Sequence, residues 1–211
     1  DRFITDLQEK FQTVGIEVKN SNLGQLPETT WFHYPSDYLG DIVHSLNVRS
    51  DNLYAESVLR LLSLSDHEKG SAEKGIDIIR KYWQNYEADS LELFMYDGSG
   101  LARNNKVSAK YLNCVLKETA RDSLIGEYFV QTLPLAGKEG SVATFMKHGE
   151  LPGELRLKSG SMSDVHAYAG YYTTPQNRYA IVVMINNYTC TRAQLKQKIS
   201  TLLTQVLSKK E

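Results

Sequence analysis

Residues 154–186 read ELRLKSGSMSDVHAYAGYYTTPQNRYAIVVMIN, and the predicted sheet of the protein lies in this segment. Three apolar-rich segments lie in it, Glu154 to Lys158, His166 to Thr173 and Arg178 to Asn186, joined by short links that contain Gly, Ser or Pro. Strand-forming runs bounded by such links predict β-structure. Because the links are short, the three strands are expected to form an antiparallel meander.

The segment after the sheet, Arg192 to Leu207, has the spacing of an amphipathic helix. We expect this helix to cover one face of the sheet. The apolar residues expected to face the strands are Leu195, Ile199, Leu202 and Val206.

Upstream of the sheet the apolar spacing is helical. The predicted helices run from Phe3 to Val14, Tyr38 to Leu46, Asn52 to Leu64, Ser71 to Tyr86 and Ser108 to Ala120. The residues expected on their buried sides include Leu53, Val58, Leu61, Leu62, Ile76, Ile79 and Trp83. Ser71 and Ser108 are predicted N-caps. A short strand at Ile16 to Val18 and a loop over 20–37 complete the layout. Helices followed by a small sheet and a covering helix predict an α+β fold.

Composition excludes several classes of protein. The chain has 24 basic and 25 acidic residues, a formal net charge of -1 and no basic stripe, so nucleic acid is not an expected partner. Its most apolar run, Tyr179 to Ile185, is far shorter than the roughly 20 residues of a membrane span, so no transmembrane segment is predicted. The two cysteines and five histidines have no metal-site spacing, so we expect neither metal nor cofactor.

Two tripeptides carry the chemistry, Ser50-Asp51-Asn52 before a predicted helix and Lys158-Ser159-Gly160 at the end of a predicted strand. The motifs S-D-N and K-T-G, together with S-x-x-K, are the signature of penicillin-binding proteins and class A β-lactamases. Alone, the first is also an ordinary helix start and the second an ordinary strand end followed by a turn.

Four blocks in order resemble one family, the class C penicillin-binding proteins, which are D-alanyl-D-alanine carboxypeptidases and endopeptidases. They are Ser50–Glu56 (SDNLYAE), Asp97–Arg103 (DGSGLAR), Leu133–Ser141 (LPLAGKEGS) and Lys158–Tyr171 (KSGSMSDVHAYAGY). The family writes the last three as D-G-S-G-L-S-R, L-P-x-A-G-x-x-G-T and K-T-G-T/S followed by A-G-Y.

The resemblance implies a partial β-lactamase/transpeptidase-like fold and serine acyl transfer on peptidoglycan stem peptides, with β-lactam antibiotics as further ligands. It also implies a bacterial protein that works in the periplasm or elsewhere outside the cytoplasm. Ser50 would relay a proton between a catalytic lysine and the leaving amine, since a hydroxyl can donate and accept at once. Asn52 would hold that lysine and the substrate amide. Lys158 would supply a fixed positive charge beside Ser50 and the substrate carboxylate.

The resemblance also implies a substrate-binding set: Arg103, Ser159, Gly160, Ser161, Met162 and Ser163. The hydroxyls of Ser159 and Ser161 would bind the substrate carboxylate, and the Ser161 N–H would be one arm of the oxyanion hole. Arg103 would bind the free end of the stem-peptide side chain; its alternative is an exposed loop arginine. The edge of the strand from Glu154 to Ser161 would take the peptide as an extra strand.

Two departures from the family pattern matter. Ser159 stands where the family has Thr, which keeps the hydroxyl but loosens its rotamer. The S-x-x-K at Ser71 to Lys74 lies between the other two motifs, whereas the family places the nucleophile ahead of both, and a helix N-cap explains Ser71. We therefore expect the nucleophile to lie in an N-terminal part ahead of Asp1 and the chain as given to be inactive.

On this interpretation, 1–211 is the C-terminal part of one transpeptidase-like domain, mainly helical over 37–150 and sheet plus helix over 151–211. Two alternatives stay open. One is a non-catalytic scaffold or binding fragment of the same fold, and the other is a β-lactamase or serine esterase relative.

Overall fold

The structure, a computed structural model, describes residues 2–17, 35–65, 69–86, 88–146 and 151–209. The chain divides into two compact units, 1–36 and 37–211.

The described part of the first unit holds helix α1 (Arg2–Thr13), close to the predicted bounds. Ile16 and Glu17 lie in neither helix nor strand, so the strand predicted there is wrong at both positions. Val18 and the predicted loop up to residue 34 lie outside the described residues.

The second unit begins with helices and two very short strands. In chain order these are α2 (Leu39–Arg49), α3 (Asn52–Leu61), α4 (Ala72–Trp83), β1 (Leu93–Phe94), β2 (Lys106–Val107), α5 (Ala109–Arg121) and α6 (Gly126–Thr132). The four predicted helices are present with ends shifted by up to three residues, and α6 was not predicted. In the part of the chain that the structure describes, no helix has the length and apolarity to cross a membrane.

Both predicted N-caps are confirmed. The Ser71 hydroxyl accepts a hydrogen bond from the Lys74 N–H at 3.1 Å, and the Ser108 hydroxyl accepts one from the Tyr111 N–H at 2.9 Å. Each satisfies a donor that the first helical turn leaves without an intrahelical partner.

The buried side of α3 differs from the predicted one. Leu59 is 3% exposed, whereas Leu53 is 72% exposed and Leu61 56%. The reason is the contact with α4, where a Cβ on Gly75 would lie 2.2 Å from the Leu59 carbonyl oxygen. A glycine in α4 lets α3 approach closely at Leu59, and this contact turns the predicted apolar side toward the surface.

Three antiparallel strands form the main sheet in the order β3 (Glu154–Met162), β4 (Val165–Thr173), β5 (Arg178–Asn186). The first is longer than predicted, because pairing with β4 continues to Met162 opposite Val165. The K-S-G motif therefore lies inside a paired strand, whereas the sequence placed it at a strand end.

Helix α7 (Arg192–Leu207) covers one face of the sheet, with the predicted bounds. Its buried residues are Leu195, Ile199, Leu203 and Leu207. Leu202 and Val206, predicted to face the strands, are 53% and 47% exposed. The buried residues form one i, i+4 row of the helix that lies over the strands. Leu202 and Val206 lie beside this row and line, together with Leu203 and Leu207, a cavity beside β5.

The opposite face of the sheet packs against α5 and α6. Tyr171 joins a cluster with Leu116, Val130 and Leu133, and its hydroxyl donates to the Leu116 carbonyl at 2.7 Å. Tyr168 and Tyr172 are buried on the α7 face. All three tyrosines therefore serve the packing of the sheet against its covering helices.

The outer edge of β3 is only partly open. The Ala136 N–H donates to the Leu155 carbonyl at 2.8 Å, and the Leu157 N–H donates to the Pro134 carbonyl at 3.0 Å. The expectation that the whole edge from Glu154 to Ser161 could take a substrate strand is therefore wrong for its first half. Neighbouring residues of a strand point their backbone groups to opposite edges, so the backbone groups of Ser159 and Ser161 point outward, as those of Leu155 and Leu157 do.

Candidate active site

Ser50-Asp51-Asn52 forms the junction between α2 and α3. Ser50 ends α2 with φ 55°, in the left-handed region that costs a non-glycine residue conformational energy. Asp51 is the N-cap of α3 and accepts the Tyr54 N–H at 3.0 Å. Asn52 opens the helix with an exposed side chain. The sequence allowed S-D-N to be an ordinary helix start, and within the tripeptide Asp51 is the residue that caps the helix. The Ser50 hydroxyl is therefore available for other contacts.

Lys158 brings the two motifs together. Its ammonium group donates to the Ser50 hydroxyl at 2.7 Å and to the Ser159 carbonyl at 2.8 Å. Burial lowers the pKa of Lys158 below its ordinary value, because desolvation disfavours the charged form. The two residues are 108 positions apart in sequence, so only the tertiary fold makes this contact.

Ser159 and Ser161 point to the other face of β3, where each hydroxyl has a side-chain partner. The Ser159 hydroxyl lies 2.7 Å from the Ser141 hydroxyl, and the Ser161 hydroxyl lies 3.1 Å from Nδ1 of His166. Sequence reasoning did not select Ser141 or His166. A signal for His166 existed, because a hairpin closing at residues 163–164 places it directly opposite Ser161.

His166 sits in an electropositive, buried environment. Burial and the nearby charges of Lys196 and Arg192 lower its pKa. Its ring lies edge-on to Tyr168 at 4.8 Å. Among the residues that the structure describes, its Nε2 has no hydrogen-bond partner. A neutral imidazole is therefore favoured beside Ser161.

The loop that carries Arg103 is tied to the helix of the first motif. Glu56, one turn into α3, accepts the backbone N–H groups of Gly98 and Ser99, both at 3.0 Å. A Cβ on Gly98 would lie 2.6 Å from the Ala55 carbonyl oxygen, so the loop rests directly on α3. The Gly-flanked turn at Ser99 therefore has a structural role, which is to seat the loop on α3.

Asp97 organises the same loop from within. Its carboxylate accepts the N–H groups of Gly100 at 2.8 Å and Ala102 at 2.6 Å, and the Asn105 side chain at 2.7 Å. Burial acts to raise the pKa of Asp97, but the hydrogen bonds from Asn105 and the backbone outweigh it, and the pKa lies below its ordinary value.

A cavity of about 560 Å³ lies between this loop and the β3–β4 hairpin. Three of the residues predicted to bind substrate, Arg103, Met162 and Ser163, line it together. Their roles in substrate binding remain predictions.

The chain shares its fold with known penicillin-binding proteins. It matches penicillin binding protein 4 from Haemophilus influenzae with a TM-score of 0.76 and 24% identity over 97% of this chain and 48% of that chain. It also matches a predatory endopeptidase from Bdellovibrio bacteriovorus, with a TM-score of 0.65 and 19% identity over 99% of this chain and 56% of that chain. The predicted fold class is confirmed.

The family model for D-Ala-D-Ala carboxypeptidase 3 (S13) matches residues 2–209, and the chain belongs to that family. A D-alanyl-D-alanine carboxypeptidase from Haemophilus influenzae is 26% identical over 93% of this chain and 42% of its own length. One from an Actinomadura species is 25% identical over 86% and 36%. The chain thus spans less than half the length of these two relatives.

Proposed function

We propose that this chain supplies the S-x-N and K-S-G side of the active site of a serine-type D-Ala-D-Ala carboxypeptidase or endopeptidase. The substrate would be a peptidoglycan stem peptide, and the enzyme would work outside the cytoplasm. The observation that carries the proposal is the 2.7 Å contact between the Lys158 ammonium and the Ser50 hydroxyl. It joins the two motifs beside the second half of the β3 outer edge. Among the described residues, no segment pairs with that half of the edge.

In the proposed reaction a serine attacks the carbonyl between two D-alanines and the terminal D-alanine leaves as the amine. A catalytic lysine near the attacking serine takes that serine's proton. Ser50 can relay a proton from this lysine to the leaving amine, because its hydroxyl accepts from one side and donates to the other. The Lys158 ammonium donates a hydrogen bond to the Ser50 oxygen, so the proton of the Ser50 hydroxyl can point toward the substrate. Its positive charge also stabilises negative charge that develops in the transition state.

The geometry of β3 supports the proposed carboxylate and oxyanion contacts. Backbone groups of Ser159 and Ser161 point outward from the sheet edge, so the Ser161 N–H can face the substrate carbonyl as an oxyanion donor. The hydroxyls of Ser159 and Ser161 lie on the same strand face, where they can bind the terminal carboxylate. Gly160, between them, has open space around its position apart from Ala167 at 4.0 Å.

The cavity beside Arg103 supports recognition of the stem-peptide side chain. The guanidinium group matches a free carboxylate in charge and geometry. Met162 and Ser163 would form the apolar and polar parts of the same wall.

The proposal assigns the nucleophile of the reaction to none of these 211 residues. Ser71, in the sole S-x-x-K of the sequence, uses its hydroxyl as the N-cap of α4. The polypeptide from the complete reading frame should therefore form a covalent adduct with a fluorescent penicillin, whereas the 211-residue chain should not. A penicillin G acylated form is described for a Bdellovibrio bacteriovorus endopeptidase of the same fold.

The labelling experiment separates the alternatives. Labelling of the 211-residue chain that a Ser71→Ala change abolishes would contradict our rejection of that motif. Absence of labelling in the complete protein would favour the alternative of a non-catalytic scaffold or binding fragment. Rapid release of hydrolysed penicillin without cleavage of a D-Ala-D-Ala peptide would favour the β-lactamase relative.

A further inference from the structure

A turn of the chain inserts beside the candidate site from a segment that carries none of the predicted site residues. It is the 3-10 turn Gly140–Val142. Gly140 has φ +51°, and a Cβ there would lie 2.3 Å from the Val48 carbonyl oxygen. Val48 is two residues before Ser50, so the turn is seated against the end of α2, next to the proton-relay position.

The same turn is held against β3 from the other side. The segment just before it pairs with the outer edge of β3 through Pro134 and Ala136, and the Gly137 N–H donates to the Val142 carbonyl at 3.0 Å. Val142 is completely buried in the α7-side core. The backbone of Ser141 is therefore fixed by contacts on both sides, while the residue itself remains exposed toward the site.

The Ser141 hydroxyl lies 2.7 Å from the Ser159 hydroxyl, the usual distance for an O–H···O hydrogen bond. A substrate carboxylate only accepts hydrogen bonds, so Ser159 must donate its single proton to bind one. Ser159 can then keep its contact with Ser141 only as the acceptor. The direction that leaves Ser159 ready for a carboxylate is Ser141 donating to Ser159.

We propose that Ser141 is a positioning residue that orients the Ser159 hydroxyl toward the terminal carboxylate of the substrate. The inference rests on the proposed function. Ser159 lacks the γ-methyl group that stiffens χ1 in threonine, so its hydroxyl can occupy all three staggered positions. The hydrogen bond from Ser141 favours one of these three χ1 positions. It therefore restricts the Ser159 rotamer, as the γ-methyl group does in a threonine.

The test uses the complete protein and a peptide ending in D-Ala-D-Ala, with either a free carboxylate or an amide at the end. Ser141→Ala should lower kcat/KM for the free carboxylate about fivefold, mainly through KM, the effect of one ordinary hydrogen bond. The amide form has no carboxylate and should be affected much less. Adding Ser159→Thr to Ser141→Ala should restore kcat/KM to within about twofold of the wild type. Thr144→Ala, which removes a hydroxyl from the same loop outside the site, should leave both substrates unchanged.

The outcomes are distinct. Equal losses for the two substrates, or a loss that Ser159→Thr does not restore, would mean that Ser141 only supports the fold and would overturn the inference. Unchanged kinetics in Ser141→Ala would overturn it as well. A wild-type protein that cleaves neither peptide and binds no penicillin would overturn the proposed function, and this inference with it.

Discussion

At the scale of single residues, the candidate site consists of charges and hydroxyls held by specific partners. Lys158 and Ser50 form one such pair, Ser141 and Ser159 a second, and His166 and Ser161 a third. The two tripeptide motifs name only half of these residues. Ser141 and His166 lie in blocks that resemble the family, but neither was selected as a site residue, because the contacts that bring them to Ser159 and Ser161 cross a turn or a strand pair.

Replacing Lys158 by Ala should reduce the acylation rate of the complete protein by roughly 10²- to 10³-fold, because it removes a charge that acts in the transition state. Stopped-flow measurement with a fluorescent penicillin gives the rate. Lys198→Ala, an exposed lysine on α7, is the matched control and should acylate normally. Near-normal acylation by the Lys158 variant would remove it from the proposed mechanism.

The pH dependence of the same reaction follows from the direction of the pKa shift. Burial lowers the pKa of Lys158, so its positive charge is lost at a lower pH than in an ordinary lysine. As pH is raised, the acylation rate of the wild type should therefore fall at a lower pH than the ordinary pKa of lysine would give. The Lys158→Ala variant should not show this fall.

His166 makes stability depend on pH in the acidic range. Its folded-state pKa is lowered by burial, Lys196 and Arg192, so the unfolded chain binds a proton more readily than the folded one. The free energy of unfolding should therefore fall as pH decreases below about 6.5, the ordinary value of histidine. Urea denaturation at several pH values should give a shallower pH dependence for His166→Gln; identical dependences would contradict this account.

At the scale of elements, short turns position the site more than the helices do. The loop with Arg103 rests on α3 through Glu56 and Gly98, and the turn with Ser141 rests on α2 through Gly140. The sequence blocks that contain these glycines predict turns. They do not predict which helix each turn contacts, because that depends on how the elements pack.

Gly140→Ala should destabilise the protein by about 1–3 kcal/mol, because it places a Cβ against the Val48 carbonyl at a positive φ. It should also displace Ser141 and so weaken penicillin acylation. Gly100→Ala is an informative control, since Gly100 has φ +78° but no atom within 4 Å of an added Cβ. Both positions have a positive φ, so a larger loss of stability for Gly140→Ala than for Gly100→Ala is the result expected from the clash with Val48.

At the scale of the whole molecule, the sheet is the common support of both cores. One face packs against α7 and the other against α5 and α6, and the site forms where β3 extends past the covered part of its edge. The bounds of α7 and the order of the three strands were predictable, because alternation and helical spacing are local patterns. The outer cover of β3 by residues 134–136 was not predictable, because an isolated pairing has no periodic signal.

Leu203→Ala should destabilise the protein by about 2–5 kcal/mol, as expected for a leucine that is 5% exposed in the core under α7. Leu202→Ala, one residue earlier, removes the same atoms from a position that is 53% exposed and should cost much less. Chemical denaturation of both variants decides between the observed helix face and the predicted one. Equal losses would support the prediction from sequence, in which Leu202 faced the strands.

The sequence by itself determined the family, the α+β layout, the antiparallel meander and the residues of the two motifs, because these depend on local spacing and on short blocks of residue types. The resemblance implied that Lys158 lies beside Ser50, and the tertiary structure adds the hydrogen bond between them. The burial of Leu59 in α3 and Leu203 in α7, in place of the leucines expected there, and the contacts of Ser141 and His166 with the hydroxyls of the K-S-G-S segment came from the tertiary structure alone. The physical reason is that a contact between distant segments depends on close packing, such as the approach permitted by Gly75 and Gly140. The periodicity of one segment does not predict which other segment packs against it, or where.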